Sequence, residues 1–289
     1  MRSGAKDGLS SLLYAIGAHR DLLASEPKKL REVAHHHFVS DGVREEISDA
    51  FFAPVGLPPL QLRHPVVLLG RENEAYLASE GPVQRSRYSP CGRYLAIAIA
   101  GGMVLLVDRE SGHQRRIDAH KGHVRDVCFS VDGKTLYSGG KDGCVRAWRV
   151  DDLSLEEGLN GHEQQVNALA ASPDGRFLAS GSDDGSIRLW SLDGGEDRRL
   201  VGHPQWVTDL AWIDSERLVS ASADSTLGLW SVCGHGMKPL YGHMHAVQAV
   251  AVCPDAGLIA SGDASGTIRV WDVEQQETVD VLSGHGDAV

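Results

Sequence analysis

The chain has 289 residues, enough for two domains or one large one, and its 39 acidic against 28 basic side chains give a formal net charge of −11. A surface of that sign repels nucleic acid and anionic lipid unless a local basic patch overrides it, so proteins come before either as partners. Five cysteines (Cys91, Cys128, Cys144, Cys233, Cys253) form no CxxC pair, which speaks against a disulfide framework or a zinc site and suits a reducing, cytoplasmic setting.

Residues 1–60 read as a helical segment and linker. Leu9, Leu12, Leu13, Ile16, Leu22 and Leu23 recur at helical spacing, and Ser25-Glu26-Pro27 resembles the start of a second helix running to about Phe38. A third short helix is expected through Val43, Ile47 and Phe51. No secretion signal is evident at the N-terminus. Three successive histidines, His35-His36-His37, point in different directions on a helix and cannot converge on one metal ion. Prolines at 54, 58 and 59 then break helix and strand alike, marking the boundary.

Beyond the boundary, over 61–289, the pattern alternates, with short β-rich runs separated by Gly, Asp and Ser. Taking Val83, Val124, Val166, Val207 and Val247 as anchors gives spacings of 41, 42, 41 and 40 residues, hence five units near 83–119, 124–159, 166–201, 207–241 and 247–282. The most apolar run, 95–107, is too short to span a bilayer and is divided by the turn Gly101-Gly102. Gly133-Lys134-Thr135 imitates the end of a phosphate loop, but Cys128 stands where its first glycine would be.

Within the units a His four residues before the anchor, a Ser, an Asp four residues later and a Trp six after that recur at fixed offsets. The sets are His120, Ser138, Asp142 and Trp148; His162, Ser180, Asp184 and Trp190; and His203, Ser220, Asp224 and Trp230. A further set has His243, Ser261 and Trp271, with Ser265 where the Asp would fall. Gly122-His123 imitates the repeat's Gly-His pair, yet register selects His120: the His-to-Trp separations are then 28, 28, 27 and 28 residues. The first unit departs altogether, with Ser79, Ile97, Gly101 and Val107 at the four positions, and is expected to be held by apolar packing.

Strands such as Ile187-Arg188-Leu189-Trp190 and Ile268-Arg269-Val270-Trp271-Asp272, with the pairs Gly161-His162, Gly202-His203 and Gly242-His243, resemble the WD-repeat family. That resemblance implies an all-β propeller of four-stranded blades, here five recognisable blades plus the start of a sixth at 284–289, behind the small helical segment. It also implies that Asp orients His, His bonds the Ser hydroxyl and Ser accepts from the indole N–H. A hydrolase triad uses the same residue types, but several equivalent copies on repeated scaffolding describe a structural network, so no catalytic residue and no cofactor or metal are expected. Because propellers of this family usually close with seven blades, three readings stand: a fragment of a longer protein, which is favoured, an open ring completed by a partner, or a five-bladed closure, with 65–69 a candidate closing strand.

The same resemblance places partner contacts on residues flanking the anchor Val and preceding the Asp: His123, Arg125 and Lys141; Gln165, Asn167 and Asp183; Trp206, Thr208 and Ala223; and Ala246, Gln248 and Ala264. His123, Arg125 and Lys141 would form a basic spot suited to an acidic or phosphorylated peptide. Trp206 stands outside the repeated Trp position, as an interface anchor would. The expected function is a non-enzymatic scaffold for protein–protein interaction through the propeller's top face; the alternative is a regulatory propeller of a larger signalling ATPase or kinase.

Overall fold

The computed structural model of the protein describes residues 81–234 and 236–283. The helices expected within 1–60, the strand at 65–69 and the start of a sixth unit at 284–289 lie outside the described residues. The described residues divide into two compact units with the boundary between Gly158 and Leu159.

In the first unit, β1 (Val83–Tyr88), β2 (Tyr94–Ile99), β3 (Met103–Asp108) and β4 (Gln114–Asp118) form one antiparallel sheet in chain order. A second sheet follows the same order with β5 (Val124–Phe129), β6 (Thr135–Gly140), β7 (Cys144–Arg149) and β8 (Leu155–Asn160), the unit boundary falling within β8.

The second unit adds three sheets of the same plan. They are β9 (Val166–Ala171), β10 (Phe177–Ser182), β11 (Ser186–Ser191) and β12 (Arg198–Val201); β13 (Val207–Trp212), β14 (Arg217–Ser222), β15 (Leu227–Ser231) and β16 (Lys238–Leu240); and β17 (Val247–Cys253), β18 (Leu258–Asp263), β19 (Ile268–Asp272) and β20 (Thr278–Leu282). Among the described residues the helical content is one 3-10 turn, Pro254–Ala256.

The turn after each innermost strand has a local cause. Ser89 Oγ accepts from the Tyr94 N–H at 2.9 Å, Ser130 Oγ from Thr135 at 3.0 Å and Ser172 Oγ from Phe177 at 2.9 Å, while Gly92, Gly133 and Gly175 supply the positive φ (72°, 72° and 73°) that closes the loop. In the fourth sheet Asp214 replaces the serine, its Oδ1 accepting from the N–H of Glu216 and Arg217, each at 2.8 Å.

Sheets pack face to face. In the first unit Ala96, Ala98, Val104 and Leu106 of the first sheet meet Val127, Phe129, Leu136 and Trp148 of the second. In the second unit Ala168, Ala179, Ile187 and Leu189 meet Val207, Leu210, Leu218 and Trp230; Val219, Ala221 and Leu227 then meet Val250, Ile259 and Trp271. One face of each sheet therefore carries small and branched aliphatics, and the facing one carries the tryptophan. Each fully buried Leu, Ile or Val contributes about 1.5–3 kcal/mol, so this interleaving is the main source of stability. In the first sheet Ile97 and Val107, at the Ser and Trp positions, belong to a wholly apolar cluster with Leu95, Ile99 and Leu105.

Candidate functional site

The second to fifth sheets each contain a hydrogen-bonded chain from indole to carboxylate. In the second sheet Trp148 Nε1 donates to Ser138 Oγ at 2.9 Å, and His120 lies 2.8 Å from Ser138 Oγ through Nε2 and 2.8 Å from Asp142 Oδ1 through Nδ1. The third sheet repeats this with Trp190 to Ser180 at 2.8 Å, Ser180 to His162 at 2.8 Å and His162 to Asp184 at 2.9 Å. In the fourth, Trp230, Ser220, His203 and Asp224 are linked at 2.8, 2.7 and 2.6 Å.

The fifth sheet corrects the sequence reading. Trp271 donates to Ser261 at 2.9 Å and Ser261 meets His243 Nε2 at 2.7 Å, but the carboxylate 2.7 Å from His243 Nδ1 is Asp263, not anything at Ser265. The third sheet carries Ser182 and Asp184, the fourth Ser222 and Asp224; here the two residue types have exchanged places. Asp263 accepts from the Ser265 N–H at 2.9 Å and its hydroxyl at 2.6 Å, so the same turn is closed from the opposite side. Fixed spacing hid this because a carboxylate two residues earlier still reaches the imidazole.

Burial lowers the pKa of all four imidazoles despite the opposing pull of the neighbouring aspartate. In the third to fifth sheets the neutral ring donates through Nδ1–H to the carboxylate and accepts the serine proton at Nε2, whereas in the second the Arg146 guanidinium also approaches His120 Nδ1. Although burial pushes the Asp184 carboxyl up, hydrogen bonds from Ser186 and His162 bring it down to about 2. Each of the four serines is 0 % exposed and both receives from an indole and gives to an imidazole, which leaves no approach for a substrate.

Partner-binding candidates occupy a different part of each sheet. The ladder of every innermost strand slips by one residue just after its anchor valine. Such a bulge re-aims the extra side chain, here Gln84, Arg125, Asn167, Thr208 or Gln248. For three of the candidates the new direction is into a seam between sheets rather than outward. Arg125 donates to Gln84 Oε1 at 2.9 Å, Asn167 to the Val207 carbonyl at 2.9 Å and to Asp183 Oδ1 at 2.7 Å, and Thr208 to the Val247 carbonyl at 2.6 Å. Gln248 is exposed, while Arg125, Asn167 and Thr208 are half-buried braces between sheets. Gln165 joins the same group by donating to Asn167 Oδ1 at 2.7 Å.

The residue before the anchor meets, through one backbone bond per sheet, the residue before the tetrad aspartate or, in the fifth sheet, the residue after it. Lys141 donates to the His123 carbonyl at 2.8 Å, Asp183 to Gln165 at 2.9 Å, Ala223 to Trp206 at 2.9 Å and Ala264 to Ala246 at 2.9 Å. His123 and Lys141 are both exposed, as is Trp206 at 57 %. Met244 at 87 % and Tyr241 at 74 % are exposed apolar side chains that repeat spacing does not single out, because neither occupies a repeated residue type. Among the described residues no group of His, Cys, Asp and Glu is arranged to hold a metal ion, and no helix is long and apolar enough to cross a membrane.

The family described as WD domain, G-beta repeat matches four segments, 112–149, 154–191, 195–231 and 235–272, which together exceed half of the chain. The chain belongs to the WD-repeat family. The five four-stranded antiparallel sheets are its blades, and membership supports a protein-interaction scaffold in general, in a family that is not typically catalytic. The chain is similar to Autophagy-related protein 16 of Arabidopsis thaliana, 26 % identical over 177 residues, which cover 60 % of this chain and 35 % of that protein. It also resembles Protein hir1 of Schizosaccharomyces pombe, 36 % identical over 47 residues (16 % of this chain, 5 % of that one). Sperm-associated antigen 16 protein of Homo sapiens is 43 % identical over 42 residues (14 % and 7 %). The WD-repeat chain thus spans about a third of the length of the first of these relatives.

Proposed function

We propose that these WD repeats form a non-enzymatic scaffold that holds protein partners at the loops carrying Trp206 and Met244 and the strand residue Gln248 in the second unit and at the loops carrying His123 and Lys141 in the first. The observation that carries this reading is Trp206, a large aromatic at 57 % exposure on a loop fixed by the Ala223 backbone bond. A tryptophan held open to water is unfavourable for the isolated molecule and is the side chain most often found at the energetic centre of interfaces. His123 and Lys141 give the first unit a basic spot on an acidic molecule, suited to an acidic or phosphorylated peptide, and the compartment we assign is the cytoplasm, where five free thiols persist.

A photo-crosslinking side chain placed at position 206, and in a separate variant at the exposed outer-strand position Val201, tests the assignment. Protein adducts are expected at 206 well above those at 201, with Trp206→Ala abolishing capture at unchanged Tm. Equal adducts at the two positions would overturn it.

A further inference from the structure

Two residues before the tetrad tryptophan, three of the four tetrad-bearing sheets place an arginine, and its surroundings differ from sheet to sheet. Arg146 is neutralised by Asp142, 2.9 Å away. Arg269 lies opposite Val281 in the ladder and donates to Thr278 Oγ1 at 3.5 Å, and in the fourth sheet the position is Gly228, opposite Pro239. In the third sheet Arg188 lies directly opposite a second arginine, Arg199. Directly opposed side chains start about 5 Å apart, and like charges there are destabilising. Asp184 stands at the same spacing from Arg188 as Asp142 from Arg146, yet its Oδ2 is held by His162 and by the Glu163 N–H and forms no ion pair with Arg188. Among the described residues neither Arg188 nor Arg199 makes a side-chain hydrogen bond or ion pair.

Arg188 is also fixed in place. Its guanidinium stacks over the Trp190 ring at 5.5 Å and lies against Gly161, where a Cβ would stand 2.5 Å from its Cζ. Its Nε, like those of Arg125 and Arg269, is shut off from water with no acceptor, but Arg188 alone of the three faces a second arginine across the ladder. A buried donor on a permanently charged group, left without acceptor beside a second unneutralised cation, is costly unless an anion completes it. On a molecule of net charge −11 a paired cation of this kind is not a by-product of composition.

We propose that Arg188 and Arg199 form a binding site for a phosphoryl group. Two guanidinium forks match the oxygens of a phosphate ester, and their two charges match its dianion better than the single charge of a carboxylate. The site lies on the adjacent strands β11 and β12 and is independent of the Trp206 loop, so either assignment can fail alone.

The test is titration of the full chain at constant ionic strength with orthophosphate, O-phosphoserine and acetate, following the arginine Nε–Hε signals by NMR. Orthophosphate and O-phosphoserine are expected to move the Arg188 and Arg199 signals, with acetate weaker by roughly tenfold or more and the affinity for O-phosphoserine rising as its phosphate loses the second proton near pH 6. Arg199→Gln, at an exposed position that does not endanger the fold, is expected to weaken both phosphate probes by roughly tenfold, and Arg269→Gln to leave them unchanged. A phosphoserine peptide binding more tightly than orthophosphate would assign the group to a protein, and equal binding would assign it to a free phosphate compound. Undisturbed arginine signals, or wild-type affinity in Arg199→Gln, would overturn the site.

Discussion

Asp263→Ala is the most discriminating perturbation of the fold, because the acid of the fifth sheet stands two residues from where the repeat puts it. Asp263 is 1 % exposed and accepts from His243 Nδ1, from the Ser265 N–H and hydroxyl, and from the Thr267 N–H at 3.1 Å. Once it is removed, Ser265 and Thr267 can turn to water, but His243, 8 % exposed, cannot. Stranding a buried donor costs about 1–3 kcal/mol, and loss of a charge-assisted bond in a connected network adds to it, so about 2–4 kcal/mol is expected. Ser265→Ala removes the hydroxyl bonds to Asp263 and Thr267 from an exposed residue and should cost about 1 kcal/mol. The double variant Asp263→Ser with Ser265→Asp rebuilds the order found at Ser182/Asp184 and Ser222/Asp224 and should recover most of the loss. Urea unfolding midpoints measure all three, with hydrogen exchange of the Trp271 indole reporting the local chain. If Ser265→Ala proved more damaging than Asp263→Ala, or if the double variant behaved like the sum of the singles, the assignment of Asp263 would be wrong.

Acidification should destabilise the tetrads in two stages. The histidines have folded pKa values below their unfolded value of about 6.5, so the unfolded chain binds more protons and their contribution, complete above pH 6.5, is lost as pH falls towards the folded values. Asp184, with a folded value of about 2, adds a second loss below about pH 4; a Tm that stayed level from pH 7 to pH 5 would contradict neutral buried imidazoles. Ser180→Ala strands both His162 and the Trp190 indole and should cost about 1–3 kcal/mol in urea unfolding. Hydrolytic turnover that the wild type shows and this folded variant loses would refute the structural role. Gly228→Ala would place a Cβ 2.7 Å from Met237 Sδ and 2.8 Å from both His203 Nε2 and Ser220 Oγ; about 1–3 kcal/mol of destabilisation is expected in thermal melts.

Much of the architecture was legible because it is local and repeated. The serine and glycine that close Ser172-Pro173-Asp174-Gly175 act within five residues, and the strand that follows, Phe177–Ser182, is buried from its second residue on. Register also separated His120, which is buried beside Ser138, from His123, which is exposed. Offsets failed where two spacings satisfy the same geometry. Asp263 and Asp184 sit at different sequence positions but reach the same imidazole nitrogen, and no count of residues distinguishes them.

By itself, then, the sequence determined the five strand-rich units, their anchors and the residue types of the buried chains, since all of these depend on short-range periodicity. Only the tertiary structure decided which side chains are free to act. The slip after each anchor turns Arg125, Asn167 and Thr208 into braces, and the pairing of β11 with β12 sets Arg188 against Arg199. Both outcomes depend on which residue stands opposite across a ladder or a sheet-to-sheet seam, and separations of 11 to 41 residues along the chain carry no local signal of that register.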